Sequence, residues 1–431
     1  MSTLAKHSVY PPNYWKRVVF TFCMGWAIIW VYRSMLSPIY TEIQGTIGPQ
    51  SNAAMGLIAS CYFFGYTALQ IPSGILVDKF GQKKILIPGF IVFAIGVLSI
   101  AFAQNLGMIY FGSVLAGVGC GTYYGAAFSL TAQHVPPEKK GVATAIVNSG
   151  SALGLILGMT GSSFLVKQLN LPWQTMVFIS AALIVFLVIW FAIMIVGAKN
   201  APNPQHTQPA ESAEKAESAG SIEPLGKAAI EEAPVKKGLF RKELVASYIL
   251  YFSTCYAYYL IVTWLPKFLE SERGIQGSMI GLITSMIAVA AVPGALFFAN
   301  LSDKKKDKKP AIIIGLEFSA FVLIAVSVFV PNAGLLAFVL LLYGFLGKLA
   351  VDPVLISYIT DKADSKSVAS TLGVFNFFGM SSSVIAPALT GYIIDSTGSG
   401  EWGFYIGAII LLIGTVLFTI LSSGSRKVAH R

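Results

Sequence analysis

Apolar runs of roughly 18 residues or more recur from one end of the chain to the other, and they decide what it can fold into. Coiled as a helix, each run is long enough to cross a bilayer core of about 30 Å. No water reaches that core, so a spanning segment must satisfy its own backbone N–H and C=O groups, which a helix does. Barrel strands would alternate polar and apolar residues, and these runs do not. Charged residues make up 12% of the chain, against about 25% in soluble domains, so lipid takes the place of water over most of the surface. The expected fold class is an all-α membrane protein with twelve transmembrane helices.

The runs place helices one to six near 18–41, 53–77, 84–104, 107–133, 141–165 and 172–197. Helices seven to twelve fall near 244–268, 277–301, 310–330, 333–359, 366–392 and 402–422. Residues 198–243 are rich in Ala, Pro, Glu and Lys and short of large apolar side chains, which predicts a disordered linker. The expected organisation is a bundle at 1–197, the linker at 198–243 and a second bundle at 244–431. Lys16 and Arg17 precede a first helix without a small-residue cleavage site, which reads as a retained signal anchor. With both termini inside, 25 Lys and Arg fall in inside segments and 3 in outside loops, namely Lys167, Lys267 and Arg273. That bias predicts cytoplasmic termini in an inner or plasma membrane. It also accounts for the net charge of +10 without nucleic acid, because the basic residues sit in short loops between apolar runs. Cys23, Cys61, Cys120 and Cys255 all fall in helices without metal-ligand spacing and are expected as buried free thiols.

The halves repeat. The chain reads GILVDKFGQKK at 74–84 after helix two and FANLSDKKKDKK at 298–309 after helix eight, which sets Asp78 and Asp303 225 residues apart. Lys140-Gly141-Val142-Ala143 and Lys366-Ser367-Val368-Ala369 give an offset of 226. Two anchors with nearly one offset predict a duplicated six-helix unit, which suits two bundles rocking about a central site.

These features resemble the major facilitator superfamily over nearly the whole chain. The loop pattern G-x-x-x-D-[RK]-x-G-[RK]-[RK] is matched by Gly74, Asp78, Lys79, Gly81 and Lys83, with Gln82 at the first of the two basic positions and Lys84 following. The resemblance implies conformational gating by Asp78, Lys79, Gly81, Lys83 and Lys84, with Asp303 in the degenerate copy. Within that superfamily, three stretches are similar to the anion:cation symporters and the organophosphate:phosphate antiporters: Tyr32-Arg33-Ser34-Met35-Leu36-Ser37-Pro38, Gln70-Ile71-Pro72-Ser73-Gly74 and Trp264-Leu265-Pro266-Lys267-Phe268-Leu269. The antiporters carry an arginine where this chain has Tyr258 and a lysine where it has Gln70, so the departures favour the symporter branch and an organic anion. That branch often has a glutamate in helix four, where alignment through Pro136 and Lys140 puts Cys120. Coupling to protons must then rest on other residues. Helix five reads Gly150-x-x-x-Gly154-x-x-x-Gly158 without the Gly-Pro of drug:proton antiporters.

A charge at mid-membrane costs about 2.5–3.5 kcal/mol on insertion scales, so it normally faces a cavity or a partner. Arg33, Glu317, Lys348 and Asp352 are of this kind. The planar fork of Arg33 matches a carboxylate or sulfonate at two points, which makes it the candidate anion site. A structural ion pair, or snorkelling to the outer interface, would also account for it. Lys348 and Asp352 share one helix face. Either they only neutralise each other, or Lys348 adds a second positive point and Asp352 takes up a coupling proton. Glu317 is expected to pair with the Lys-rich loop at 304–309. A few of Trp26, Trp30, Tyr32, Tyr256, Tyr258 and Tyr259 are expected to line the cavity, with Asn376 and Asn148 as polar groups. The substrate-binding candidates are thus Arg33, Lys348, Tyr258, Tyr259 and Asn376. Gly344–Lys348 lacks the spacing and preceding strand of a phosphate loop, so no nucleotide cofactor is expected. No nucleophile–base or metal constellation points to an enzyme. The function expected is a monomeric secondary transporter moving a small organic anion, a carboxylate first of all, together with protons. Anion exchange is the rival within transport. A non-transporting receptor or scaffold is the rival outside it, and the buried charges argue against that.

Overall fold

The computed structural model describes residues 13–136, 139–195, 238–364 and 368–423, and those residues are helical with no strand. The first half holds α1 (Tyr14–Ile47), α2 (Asn52–Phe80), α3 (Gln82–Ala101), α4 (Leu106–Thr131), α5 (Val142–Gln168) and α6 (Gln174–Met194). The second holds α7 (Lys242–Ser271), α8 (Ser278–Lys304), α9 (Lys306–Phe329), α10 (Ala333–Lys362), α11 (Ser370–Thr397) and α12 (Gly400–Ser422). Eleven of these are apolar and long enough to cross a membrane. The twelfth, α2, has 29 residues but carries Tyr62, Tyr66, Thr67 and Gln70 along its middle, which lowers its apolarity. Most of the expected linker lies outside the described residues, and α7 starts at Lys242.

The packing repeats as the loop motifs do. In the first half α1 lies on α5, α2 on α4 and α3 on α6; in the second α7 lies on α11, α8 on α10 and α9 on α12. The halves meet along two seams, α2 with α11 and α5 with α8. Large apolar side chains such as Phe20, Phe111, Ile193 and Phe338 are exposed on the outer faces, as a lipid-facing rim requires.

Several runs that read as single helices are broken. α1 passes through a tight turn at Ser37–Ile39, where Pro38 has no N–H to donate. α10 breaks at Gly347, whose extended backbone (φ −89°, ψ −151°) starts a second helix at Lys348. The Gly347 N–H bonds the Tyr343 carbonyl at 2.7 Å. A Cβ on Gly347 would stand 2.6 Å from that same carbonyl oxygen, so the break fits glycine alone.

The seams are tight at one end only. At the end away from the termini, a Cβ on Gly56 would lie 2.2 Å from the Pro387 carbonyl, and one on Gly281 2.3 Å from the Met159 carbonyl. Nearer the termini, Gly74 on α2 and Gly373 on α11 have nothing within 4 Å of the same position. So α2 and α11 diverge, and the cavity between the halves opens toward the end that carries the termini. The closed end is also bolted by polar contacts. Lys167 of α5 sits 2.7 Å from Glu42 and 2.5 Å from Glu270, joining both halves. Asp395 of α11 accepts from the Asn52 and Ala53 backbone N–H groups at 2.8 and 2.9 Å, capping the start of α2. Lys267 bonds the Asn52 side chain at 2.5 Å, and Ser37 donates to the Val262 carbonyl at 2.9 Å.

Candidate transport site

Arg33 lies on α1 three residues before the Leu36–Ile39 turn. Because the chain continues as helix to Ile47, the side chain cannot snorkel to an interface and stays inside the bundle. Five rings surround its guanidinium, with centroids at 5.2 Å (Trp26), 5.3 Å (Trp30), 5.4 Å (Tyr62), 5.3 Å (Phe63) and 4.5 Å (Tyr66). Their π faces attract the cation without neutralising it. Nε donates to the Tyr62 hydroxyl at 2.9 Å, while Nη2 is buried with no partner. Among the described residues no carboxylate reaches ion-pair distance of Arg33, so the structural ion pair is not what holds it. A guanidinium held by aromatic walls with one nitrogen unpartnered has the chemistry to donate to an oxyanion.

The aromatic wall continues into the second half. Trp30 meets Tyr258 of α7 edge-on at 6.1 Å, and Phe63 meets Tyr259 at 4.7 Å. Tyr258 in turn lies 5.5 Å from the Lys348 ammonium, which is equally near Tyr251. Lys348 is buried at the start of the second α10 helix and bonds Asp352 at 2.6 Å. The other oxygen of Asp352 is buried without a partner. Asn376 of α11 donates to Gln70 of α2 at 3.0 Å, a polar link across the seam where the cavity widens. The structure thus brings together Arg33, Lys348, Asp352, Tyr258 and Tyr259, with Asn376 on the cavity wall.

Other expectations turn out differently. Glu317 does not pair with the loop at 304–309. It is fully buried in α9 and accepts a hydrogen bond from Thr254 of α7, with its second oxygen unpartnered. Its carboxyl lies about two helical turns past Lys309 and faces Thr254 of α7, so it does not reach the loop. Lys309 of that loop bonds Asp361 at 2.5 Å and Ser357 at 2.7 Å instead. Tyr256 turns away from the cavity to Thr390 at 3.1 Å, whereas Tyr32, packed between Tyr62 and Phe93, lines the space beside Arg33. Cys120 and Cys255 are buried, Cys23 and Cys61 half-buried, and all four are free. The residues that the sequence reading missed are Tyr62, Phe63 and Tyr66 of α2. The signal was there: Tyr62 and Tyr66 stand one turn apart, followed by Thr67 and Gln70, along the middle of α2. Cys120, placed by alignment where relatives of the symporter branch carry a glutamate, lies against Arg33 and Tyr62.

In the motif loop, the Asp78 side chain is outside the described residues. Gly81 turns with φ +87° and its N–H closes α2 on the Val77 carbonyl at 2.8 Å. Lys83 donates to the Ala192 and Ile195 carbonyls at 2.5 and 2.9 Å, a cation on the C-terminus of α6. Lys79 stacks over Phe80 at 5.3 Å, and Lys84 and Asp303 are exposed.

Two pseudo-equivalent helical bundles, closed at one end around a charged central cavity, define a membrane transporter of the alternating-access kind. The family model of the Major Facilitator Superfamily matches residues 18–387 and again 248–431, and the chain belongs to that superfamily. It is therefore a transporter and not an enzyme. The chain is 26% identical over 427 residues to the hexuronate transporter of Bacillus subtilis, covering 94% of this chain and 92% of that one. It is 24% identical over 421 residues to the probable galactarate/D-glucarate transporter GudP of the same organism, covering 94% and 90%. A bacterial homolog of the human lysosomal transporter Spinster, solved in an inward-facing and occupied conformation, shares the fold with a TM-score of 0.77 at 13% identity, covering 96% of this chain and 98% of that one.

Proposed function

We propose that this transporter takes up a small organic carboxylate together with protons, with both termini in the cytoplasm and as a monomer. The observation that carries the reading is Arg33: a cation in an aromatic cage, with an unpartnered nitrogen and, among the described residues, no carboxylate at ion-pair distance. Relatives named for hexuronates and for galactarate or D-glucarate agree with an acid of sugar size. In this reading Lys348 draws on the same anion from the second half, and Tyr258, Tyr259 and Asn376 shape the space around it. The anion then bridges α1 and α10 and pulls the halves together, which biases the equilibrium between outward- and inward-open states. As the anion competes for Lys348, Asp352 loses its partner and takes up a proton. The loop residues Asp78, Lys79, Gly81, Lys83 and Lys84, with Asp303, hold or release the end that is open here.

The test is uptake into proteoliposomes. D-galacturonate or D-glucarate should accumulate when the outside is made acid. Uptake that needs internal anion and ignores the pH gradient would replace symport by exchange, and no uptake of either acid under any gradient would end the anion reading.

A further inference from the structure

Glu317 is used by nothing in that scheme, and its setting calls for a role. It is fully buried, has one oxygen on Thr254 and the other without a partner, and no cation stands within ion-pair distance among the described residues. α7 brings Thr254 and, beside it, Cys255; α10 brings Tyr343, Lys348 and Asp352, all within electrostatic reach. α12 brings Tyr405 and Glu401 near its far end, where Glu401 stands 3.3 Å from Arg273. Glu317 thus lies behind the cavity wall, within electrostatic reach of Lys348 and Asp352, and the buried charges in and around the cavity are two cations, Arg33 and Lys348, and two acids, Asp352 and Glu317.

We propose that Glu317 is a second proton-binding group of the transport cycle, so that the protons carried equal the charge on the anion. The inference rests on the anion-uptake reading and gives it a stoichiometry. With both acids ionised the empty cavity is neutral. A monoanion adds one negative charge, and a site out of reach of bulk water is neutral again only when one acid is protonated. A dianion requires both. Protons enter from the open side onto the carboxylate oxygens, cross with the anion and leave to water on the other side, and no covalent bond is made or broken. Proton binding and anion binding favour each other by linkage, which is what couples their fluxes. If Glu317 were instead a permanently protonated packing group, the empty cavity would carry one positive charge. A monoanion would then travel with no proton and a dianion with one.

The two pictures predict different counts for the wild-type protein. In proteoliposomes with a pH dye, D-galacturonate should carry one proton per molecule and D-glucarate two. Glu317→Gln keeps the size and the Thr254 hydrogen bond. It should fold and lower each count by one, to none and one; Asp352→Asn should lower each count by one as well. Wild-type counts of none and one, or a Glu317→Gln variant with unchanged counts, overturn the proposal while leaving anion transport intact. A wild-type protein that moves neither acid removes the anion reading and this inference with it. Should Glu317→Gln fail to insert, the wild-type counts decide alone.

Discussion

Lys348 shows how much one residue's role depends on what it touches. It bonds Asp352 at 2.6 Å and stacks near Tyr258, so it can neutralise a neighbour, hold a substrate, or do both in turn. Charge removal separates these. If it only neutralises, Lys348→Met is damaged by leaving a buried carboxylate alone, a loss of about 3–5 kcal/mol for one partner of a buried pair, and Lys348→Met with Asp352→Leu restores transport. The account predicts that the double variant stays inactive for D-glucarate uptake, and full recovery would remove Lys348 from the binding site. The charges themselves were legible in the sequence, because an Arg, Lys or Glu inside an apolar run stands out against its cost. The pairing of Lys348 with Asp352 was legible too, from their i, i+4 spacing, but partners on other helices were not. Tyr62 and Tyr66 reach Arg33 from a different helix, and Glu317 reaches Thr254 across 63 residues of chain, and spacing carries no information about either.

At the scale of elements, the polar latch at the closed end is the part that must break for the other state to form. Lys167 held between Glu42 and Glu270, with Thr41 on Glu270 at 3.1 Å, ties α5 and α1 to α7. Glu270→Gln should shift the population toward opening at this end by about 1 kcal/mol, roughly fivefold, as expected of a partly exposed pair. The check is a cysteine placed at Thr263, which lies beside Ser37 and Tyr40 just inside the latch. An impermeant maleimide added from the closed end should label it faster when Glu270 is replaced; an unchanged rate would mean that the helix seams, not the latch, hold that end shut. Two of the three cations assigned to outside loops by charge counting, Lys167 and Lys267, turn out to be parts of this closure. Helix existence was readable from run length, but helix breaks were not. Nothing in a run such as Gly344–Asp352 distinguishes a packing glycine from one that ends a helix, because the difference lies in the Tyr343 ring and carbonyl that leave Gly347 no room for a Cβ.

For the whole molecule, the repeat of α1–α5, α2–α4 and α3–α6 contacts as α7–α11, α8–α10 and α9–α12 follows from the duplication that the loop motifs marked. Orientation rests on the loop charges, and impermeant labelling of a cysteine at Asn170, between α5 and α6, should succeed from outside intact cells; labelling only after lysis would invert the topology. The measurement that bears most directly on the account is binding to Arg33. Isothermal titration of purified protein with D-galacturonate and D-glucarate should give saturable binding to the wild type. Arg33→Lys keeps the charge and loses the two-point fork, and should bind roughly ten- to a hundredfold more weakly while melting at an unchanged temperature without ligand. Equal affinity in the two proteins would contradict the account and place the anion elsewhere.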